Sequence, residues 1–416
     1  MNNQIRTNRM SDVTIQILQP DGTPFAGQEV TVAQTRHQFL FGTAAFDLVP
    51  LTNGSYQGEA KEQAEKRADK LTTLFNAATL PFYWAQFEPE PGKPRTGQIK
   101  NAARWCIEHG LQTKGHPLCW HTLTADWLLP MSNAEILQAQ TARIRRDVSD
   151  FAGLIDMWDV INEAVIMPVF DKYDNGITRL CRELGRIETV RTMFETARET
   201  NPSAVLLIND FDVSPAYDIL VEGCLEAGIQ IDVIGIQSHM HQGYWGVEKT
   251  LNVLDQFTRF NLPIHFTETT LVSGHLMPPE IVDLNDYQVQ DWPTTAEGEE
   301  RQAEQTIQHY KTLFAHPLVE GITWWDMSDG GWLNAPAGLI RRDGSSKPAY
   351  DELLKLVRGE WWNSPTSFIT DEQGICRFSG FLGDYEVEVQ GIGKTFSVKE
   401  KGACEVKIQI GGQGVG

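Results

Sequence analysis

The amino-acid sequence predicts an α/β protein: a (β/α)8 barrel with a small all-β module built from both ends of the chain. Three observations predict it. Eight apolar, strand-like runs alternate with helical segments between residues 39 and 357. Polar or aromatic motifs stand at the end of nearly every run, as expected at the carboxyl ends of barrel strands. Residues of alternating polarity, typical of half-buried strands, flank this region on both sides.

The first segment, residues 1–35, is predicted to form a β-hairpin. Residues 13–18 and 29–33 alternate in polarity, and Pro20-Asp21-Gly22 supplies a turn between them. The last segment, residues 359–416, contains alternating runs at 375–379, 385–389, 395–398 and 404–410. Because two strands alone are marginal in water, we expect the hairpin and the C-terminal strands to pack together as one β-sandwich.

Residues 36–358 are predicted to form the TIM-type barrel. Its strands are expected at 39–45, 77–84, 113–120, 157–164, 204–210, 232–239, 264–269 and 321–327. Helical segments are expected at 59–75, 134–151, 187–200, 247–260, 299–314 and 349–357. A doubly wound open sheet would alternate in the same way, but eight regular units favour a closed barrel.

The composition narrows the choice of partners. The chain contains 55 Asp and Glu but only 35 Lys and Arg, which gives a formal net charge of −20. Nucleic acid and anionic membranes are therefore poor partners. A neutral β-glycan or oligosaccharide is compatible with this charge, and no protein partner is implied. No stretch is long and apolar enough to predict a membrane span.

Cysteine usage and the N-terminus bear on the compartment. The six cysteines lack the spacing of a zinc motif, and we expect free buried thiols, with a Cys376–Cys404 pair as the alternative. The first ten residues contain no apolar segment of a signal peptide, which predicts a cytoplasmic protein. A secreted protein whose signal had been removed would look the same.

Two glutamates carry the predicted chemistry. Glu163 follows the apolar run Trp-Asp-Val-Ile-Asn at 158–162, and Glu268 follows Ile-His-Phe-Thr at 264–267. A retaining glycosidase needs one carboxyl that protonates the leaving oxygen and a second that attacks the anomeric carbon, roughly 5–5.5 Å apart. Two carboxylates at the carboxyl ends of barrel strands meet that need. The alternative is that either one is a solvated loop carboxylate.

Taken in order, the strand-end motifs resemble the family 10 glycoside hydrolases, the retaining endo-β-1,4-xylanase family. The resemblance runs from about residue 36 to 357. The matching motifs are Phe75-Asn76, Glu88-Pro89-Glu90-Pro91-Gly92, Lys114-Gly115-His116-Pro117-Leu118-Cys119-Trp120-His121, residues 158–164, Ile208-Asn209-Asp210, Gly235-Ile236-Gln237-Ser238-His239, Thr267-Glu268, Thr323-Trp324-Trp325 and Lys347-Pro348-Ala349-Tyr350.

The resemblance implies roles for four catalytic residues. Glu163 would be the acid/base and Glu268 the nucleophile. Asn162 would contact the sugar 2-hydroxyl, a hydrogen bond that strengthens in the transition state, and His239 would orient the nucleophile. Asn162 as a strand-end turn residue and His239 as a satisfied core histidine are the alternatives.

Substrate contacts are implied for a further set of mostly aromatic residues at strand ends. These are Trp84, Trp120, His121, Gln237, Trp325 and Trp332. His116 lies deeper on its strand, and we expect it in the core. No cofactor and no metal are expected, because His116, His121, His239 and His241 lack the carboxylate spacing of a zinc site.

One region departs from the family pattern. The second strand usually carries Glu-Asn and then a Lys before its Trp, and these bind sugars on the non-reducing side. Here the stretch is Thr79-Leu80-Pro81-Phe82-Tyr83-Trp84, about two residues shorter, and Asp326 stands where the family has Gly. We therefore expect a more apolar glycone pocket that selects less strongly for xylan.

Three functions remain open on this reasoning. Hydrolysis of xylan or xylo-oligosaccharides is the first choice, and the altered second strand favours hydrolysis of another β-glycoside as an alternative. A non-catalytic glycan-binding barrel is the third, and the presence of Asn162, Glu163, His239 and Glu268 together argues against it, because a binding protein does not need that set.

Overall fold

A computed structural model describes residues 3–411, which divide into two compact units. The barrel unit contains Phe41–His309 and Leu318–Tyr350. The second unit contains residues up to 40, Tyr310–Pro317 and the chain from Asp351 onward. Within residues 3–411, none of the helices combines the length and apolar character that crossing a bilayer requires.

In the second unit, α1 (Asn3–Arg9) is followed by β1 (Met10–Leu18) and β2 (Glu29–His37). These two strands lie in different sheets and do not pair with each other, so the predicted hairpin is wrong. The physical reason is the connection: residues 19–28 are longer than the roughly two to five residues usual for a hairpin loop. This length lets the chain pass from one sheet to the other.

The barrel consists of eight parallel strands in a closed ring, which confirms the predicted fold class. The strands are β3 (Leu40–Ala44), β4 (Ala77–Pro81), β5 (Gln112–His116), β6 (Met157–Asn162), β7 (Val205–Asp210), β8 (Val233–Met240), β9 (Ile264–Leu271) and β10 (Val319–Trp324). They neighbour one another in chain order, and β10 closes the ring against β3. Gly115 permits close packing inside it, because a Cβ there would lie 2.1 Å from the Trp158 ring.

Several strands end before the residue that the sequence predicts, and at two of them proline explains the early end. β4 ends at Pro81, so that Trp84 begins a short helix instead of ending the strand. β5 ends at His116, directly before Pro117. Proline has no N–H for the strand ladder, so each strand stops and the residues beyond it form a loop over the end of the barrel.

The helices follow the strands as expected. They are α2 (Leu48–Thr52), α3 (Gly58–Leu74), α4 (Trp84–Phe87), α5 (Thr96–Glu108), α6 (Asn133–Asp150), α7 (Gly176–Leu184), α8 (Arg186–Thr200), α9 (Pro215–Glu226), α10 (Gly246–Thr258), α11 (Ala296–Ala315) and α12 (Pro348–Lys355). Short 3₁₀ turns lie at Asp126–Leu128, Met167–Val169, Leu284–Asp286 and Trp332–Asn334, and a π-helical turn at Leu356–Glu360. α6 begins with a capping box in which Ser132 and Glu135 satisfy each other's backbone N–H groups.

The second unit also contains β11 (Thr366–Ile369), β12 (Ile375–Phe381), β13 (Gly383–Val389), β14 (Ile392–Val398) and β15 (Gly402–Gln409). β1 lies between β12 and β15 in a three-stranded sheet, and β2 lies between β11 and β13 in a four-stranded sheet. Alternate residues of both sheets, such as Val13 and Ile15 on β1 and Val387 on β13, share one buried core. N-terminal and C-terminal strands thus build this core together.

The six cysteines all lie in the described part of the chain and carry free thiols. Cys376 on β12 pairs in register with Ile15, and Cys404 on β15 with Val13, so that β1 separates the two. Two strand spacings of roughly 4.8 Å put these Cα atoms at least about 9–10 Å apart across the sheet, and the two-residue offset between Val13 and Ile15 increases this distance. A disulfide requires less than about 7 Å, which explains why this pair does not form.

Candidate active site

A pocket of about 1320 Å³ lies at the carboxyl ends of the barrel strands, where catalytic sites of barrel enzymes occur. Glu163 and Glu268 both line it, together with Asn162, Gln237 and His239. All of these residues belong to the barrel unit. The structure thus brings the four predicted catalytic residues together in one pocket.

Glu163 directly follows β6 and has an unusual backbone conformation. Its φ of 58° lies in the left-handed region that non-glycine residues seldom adopt. Its N–H donates to the Asn209 carbonyl at 2.8 Å, which holds the turn. On the side chain, Oε2 accepts from the Trp120 indole at 2.8 Å and Oε1 lies 3.2 Å from Asn162 Nδ2. Strain of this kind clusters at functional sites.

Glu268 lies on β9, and both of its carboxylate oxygens have partners. His239 Nε2 forms a hydrogen bond of 2.9 Å with Oε2, and Asn209 Nδ2 donates to Oε1 at 2.9 Å. The His239 contact is the one that the sequence predicts for a histidine that orients the nucleophile. His116 Nε2 lies 3.9 Å from Oε1 on the opposite side.

The two carboxyl groups have opposite pKa shifts. Burial raises the pKa of Glu163 to about 8; the Trp120 hydrogen bond opposes this rise, and the charges of Asp210 and Glu268 add to it. Burial alone would also raise the pKa of Glu268, but the charge of His116 and the His239 hydrogen bond lower it overall. Near neutral pH one carboxyl is therefore protonated and the other ionised, which is the division of acid and base roles that such sites use.

Asn209 joins the two halves of the site and was not assigned a role from the sequence. Its amide nitrogen donates to Asn162 Oδ1 at 2.8 Å as well as to Glu268, and its Oδ1 accepts from Thr267 Oγ1 at 2.5 Å. Gln237 Nε2 donates to the same Asn162 oxygen at 3.1 Å. The available signal was a polar Asn209-Asp210 pair that closes the otherwise apolar strand β7.

His116 is buried as predicted, yet it also lines the pocket, so its assignment to the core is incomplete. Its Nδ1 lies 2.7 Å from Asp159 Oδ2, and Lys114 Nζ lies 2.8 Å from the same oxygen. Opposite charges beside Asp159 lower its pKa despite burial that would raise it. This buried cluster fixes the ring of His116 beneath Glu268.

Aromatic side chains form the pocket walls. Trp325, Trp332 and Trp120 line it as the sequence predicts. The Trp332 ring lies 4.6 Å from that of His239. His121 also lines the pocket, 4.6 Å from the ring of Phe170, and burial lowers its pKa to about 4.

Trp84 is the predicted substrate contact that the structure does not bring to the pocket. Because β4 stops at Pro81, Trp84 lies at the start of α4 and not at the end of the strand, and its side chain is buried there. Its indole donates to Glu88 Oε2 at 3.1 Å, and the Arg143 guanidinium lies 4.7 Å from its ring centre. Its role is therefore corrected to packing beneath the loop.

Tyr83 and Asp326, at the two departures from the family pattern, both line the pocket. The Tyr83 ring lies 5.7 Å from those of Phe46 and His116, and burial raises the pKa of its hydroxyl well above the ordinary value. Asp326 Oδ1 accepts from the Trp332 N–H at 3.1 Å, whereas Oδ2 is buried without a partner among residues 3–411. Burial raises the pKa of Asp326 to about 7.

The pocket therefore has a protonated and an ionised glutamate, amides beside both, and aromatic platforms around them. Within residues 3–411, no cluster of His, Cys, Asp or Glu side chains is arranged to hold a metal ion. A carboxylic acid and a carboxylate over an aromatic floor can protonate a glycosidic oxygen and attack an anomeric carbon.

Comparison with known proteins identifies a matching family and similar curated proteins. A sequence profile of glycosyl hydrolase family 10 matches residues 39–356. Endo-1,4-beta-xylanase 1 of Arabidopsis thaliana is 25% identical over 418 residues, which covers 96% of this chain and 39% of the plant protein. The chain thus spans about two fifths of this curated relative.

Solved structures share the barrel. The GH10 structure from Paenibacillus barcinonensis has a TM-score of 0.62 at 22% identity, covering 77% of this chain and 95% of that one. Xylanase 10B from Thermotoga petrophila, solved in complex with xylobiose, has a TM-score of 0.62 at 21% identity, covering 78% and 95%. At this identity the likeness shows the fold.

Proposed function

The chain belongs to glycosyl hydrolase family 10, and on that premise we propose that it is a retaining glycoside hydrolase of β-1,4-linked glycans. Xylan or xylo-oligosaccharides are the first-choice substrates. The observation that carries this proposal is the pair Glu163 and Glu268, which line one pocket with opposite pKa shifts. Names of similar proteins that include endo-1,4-beta-xylanase support the choice of substrate.

The reaction follows as two displacements. In the first, a Glu268 oxygen attacks the anomeric carbon, the bond to the leaving oxygen breaks, and Glu163 gives that oxygen its proton. In the second, Glu163 takes a proton from water, the water oxygen attacks the anomeric carbon, and Glu268 is released. Two inversions restore the original configuration.

Neighbouring residues prepare each carboxyl for its step. The His239 and Asn209 contacts hold the Glu268 carboxylate by both oxygens. Burial keeps the proton on Glu163 at neutral pH. Asn162, whose Oδ1 accepts from both Asn209 and Gln237, is oriented with its amide nitrogen toward Glu163. That nitrogen is available to the sugar 2-hydroxyl once the acid has moved to the leaving oxygen.

Another β-glycoside is the second candidate substrate. The two side chains that depart from the family pattern, Tyr83 and Asp326, favour it. Tyr83 presents an aromatic ring where the family has a lysine, and Asp326 places a buried carboxyl beside the Trp325 platform. A pocket rebuilt in this way has lost polar partners for xylose hydroxyls and gained one acceptor. We propose that its glycone preference is broader than that of xylan-specific relatives.

Proton NMR of the first-formed product tests the reaction class. During hydrolysis of xylobiose and of aryl β-xylosides and β-glucosides, the β-anomer should accumulate before mutarotation. An initial α-anomer would show inversion and contradict the assignment of Glu268 as nucleophile. Failure to hydrolyse any member of that panel would favour a glycan-binding barrel instead.

A further inference from the structure

An ion pair joins the two loops that follow the strands of the catalytic glutamates. Lys172 lies in the loop after β6, and its Nζ is 2.5 Å from Asp283 Oδ2 and 2.6 Å from Asp286 Oδ1. Both aspartates lie in the long loop between β9 and α11. Lys172, Asp283 and the neighbouring Leu284 all line the active-site pocket.

The strands between these two loops have short connections. β7 and β8 separate β6 from β9 in the barrel, and only residues 211–214 and 241–245 follow them before the next helices begin. A contact between the β6 and β9 loops therefore spans the ends of β7 and β8. The loops at this part of the pocket edge are short, so any segment that covers the pocket here must come from the neighbouring β6 and β9 loops.

The β9 loop already extends across β8 toward Lys172. The Met277 N–H donates to the His241 carbonyl at 3.0 Å. Gln242 Nε2 donates to the carbonyls of Pro278 and Ile281 at 2.9 and 2.7 Å. Asp283, the first partner of Lys172, comes two residues after Ile281 in this loop. The ion pair therefore connects the β9 loop to the β6 loop across the end of β7. We call the segment 276–286 together with Lys172 the strap.

The strap also contacts the sugar platform. Trp332 Nε1 donates to Asn285 Oδ1 at 3.1 Å, and the Trp332 ring lies against His239, the partner of Glu268. The position of the strap is therefore coupled to the position of the Trp332 ring. Apolar groups line the pocket below it, among them Phe211, which is 45% exposed, and Tyr173, which is 48% exposed.

The strap lies on the leaving-group side of the site. Tyr83 follows β4, His116 ends β5 and Trp120 lies beyond it, and on the proposed function the glycone lies beside these residues, away from β7 and β8. A leaving group protonated by Glu163 must extend the other way, toward the ends of β7 and β8. A long chain leaving in that direction meets the roof formed by Lys172, Asp283 and Asp286.

We propose that Lys172 is a specificity-determining residue: with Asp283 and Asp286 it closes the leaving-group side and restricts the substrate to glycosides with a short leaving group. The inference rests on the proposed function, since it takes Glu163 as the proton donor. The favoured substrate class is the oligosaccharide or small-aglycone glycoside, and internal bonds of a polymer are reached only when the strap opens.

The strength of the contact sets the size of the effect. The Lys172 side chain is 36% exposed, Asp283 33% and Asp286 62%, so each pair is partly screened by water. Partly exposed ion pairs hold weakly and loosen as salt is added. We expect a roughly three- to tenfold preference for the closed strap, sensitive to ionic strength.

Kinetics on two substrates tests the strap. One substrate is 4-nitrophenyl β-xylobioside, whose leaving group is a single ring, and the other is xylohexaose. Lys172→Ala and the double variant Asp283→Asn/Asp286→Asn should each raise the ratio of kcat/KM for xylohexaose over the aryl glycoside three- to tenfold. Salt at 1 M should raise the wild-type ratio and leave the variants unchanged.

Lys355→Ala is the matched control. Lys355 also forms an exposed ion pair, with its Nζ 2.6 Å from Glu352 Oε1, but it lies outside the pocket lining. This variant should leave the ratio unchanged. An unchanged ratio in both strap variants would overturn the proposal, as would a fall in the lysine variant alone, which would indicate direct binding of substrate by Lys172.

Hydrogen exchange separates this proposal from the proposed function. Amides of residues 281–290 should exchange faster in Lys172→Ala than in the wild type or in Lys355→Ala. That comparison holds whether or not any substrate is cleaved. Equal exchange in all three proteins would overturn the strap, whereas absence of aryl glycoside hydrolysis with altered exchange would overturn the proposed function and retain the strap.

Discussion

The Trp120 indole N–H donates to Glu163 Oε2 at 2.8 Å, so that an aromatic residue of the pocket wall also holds the carboxyl proposed as the acid. A hydrogen bond to a carboxylate favours its charged form and lowers its pKa. Here it opposes burial, which by itself raises the pKa of Glu163 further. One contact therefore both orients the carboxyl and lowers the pH at which it loses its proton, against the larger effect of burial.

A pH profile should report this contact. The pKa of Glu163 is about 8, so kcat/KM on xylobiose should fall above roughly pH 8 as the acid loses its proton. Trp120→Phe removes the bond that stabilises the carboxylate, which raises the pKa and moves the basic limb to higher pH. Trp332→Phe, which changes a platform without touching Glu163, should leave the basic midpoint in place. A downward shift in Trp120→Phe would contradict the assignment.

The acid role predicts a dependence on the leaving group. Glu163→Gln keeps the shape of the side chain and removes its proton, so kcat/KM on xylobiose should fall roughly 10²–10⁴-fold. An activated aryl glycoside needs little protonation and should keep most of its kcat/KM, while slow release of the glycosyl-enzyme lowers kcat. Equal losses on both substrates would argue that Glu163 acts in some way other than proton donation.

The nucleophile role predicts loss on every substrate. Glu268→Ala removes the attacking carboxylate, and turnover should disappear for aryl glycosides and oligosaccharides alike. Azide fits the space left by the carboxylate and should restore activity on an aryl β-glycoside, giving the α-glycosyl azide by a single inversion. NMR of that product is the measurement, and wild-type activity in Glu268→Ala would refute the assignment.

Sequence reasoning located the barrel because its signals are local. Each strand is an apolar run of a few residues, and each helix carries its own periodicity, as in α6 with its Ser132–Glu135 capping box. Where proline intervenes the same reasoning overextended the strand, at Pro81 and Pro117. Because of this error, Trp84 was predicted to contact substrate, whereas its side chain packs beneath a loop.

Pairings between distant segments were less accessible. The sequence shows that β1 and β2 alternate, but which partner each strand takes depends on residues more than 300 positions away, such as Ile15 beside Cys376. Asn209 was overlooked for a related reason, since its importance lies in bridging Asn162 and Glu268 from a third strand. Contacts of this kind are properties of the folded barrel and leave little mark on any one motif.

The shared core of the second unit predicts a stability effect. Ile15 is fully buried between the sheets, at 0% exposure, and Ile15→Ala should lower the free energy of unfolding by about 2–5 kcal/mol. Ile369, on β11 of the same unit, is 68% exposed, and Ile369→Ala should change it by no more than about 0.5 kcal/mol. Thermal unfolding followed by near-UV circular dichroism compares them. Equal midpoints would show that this core adds nothing to stability.

The proposed change in the glycone pocket predicts weak discrimination between sugars. An apolar wall distinguishes similar ligands by about 1–3 kcal/mol, whereas a site that hydrogen-bonds a hydroxyl rejects an analogue by roughly 10⁴–10⁵-fold. With Tyr83 in place of a lysine, kcat/KM for aryl β-xylosides and aryl β-glucosides should differ by less than about 200-fold.

Glycone length gives a second measure of that pocket, independent of the strap. Along the series from aryl β-xyloside to aryl β-xylotrioside the leaving group is constant, and each added sugar should raise kcat/KM less than about tenfold. Tyr83→Lys alone should not increase this gain, because β4 ends at Pro81 and the shortened segment leaves the new ammonium misplaced. Tyr83→Phe is the control for loss of the hydroxyl. A gain well above tenfold for the second glycone sugar in the wild type would mean that other residues have replaced the missing polar partners, and the altered-pocket hypothesis would be wrong.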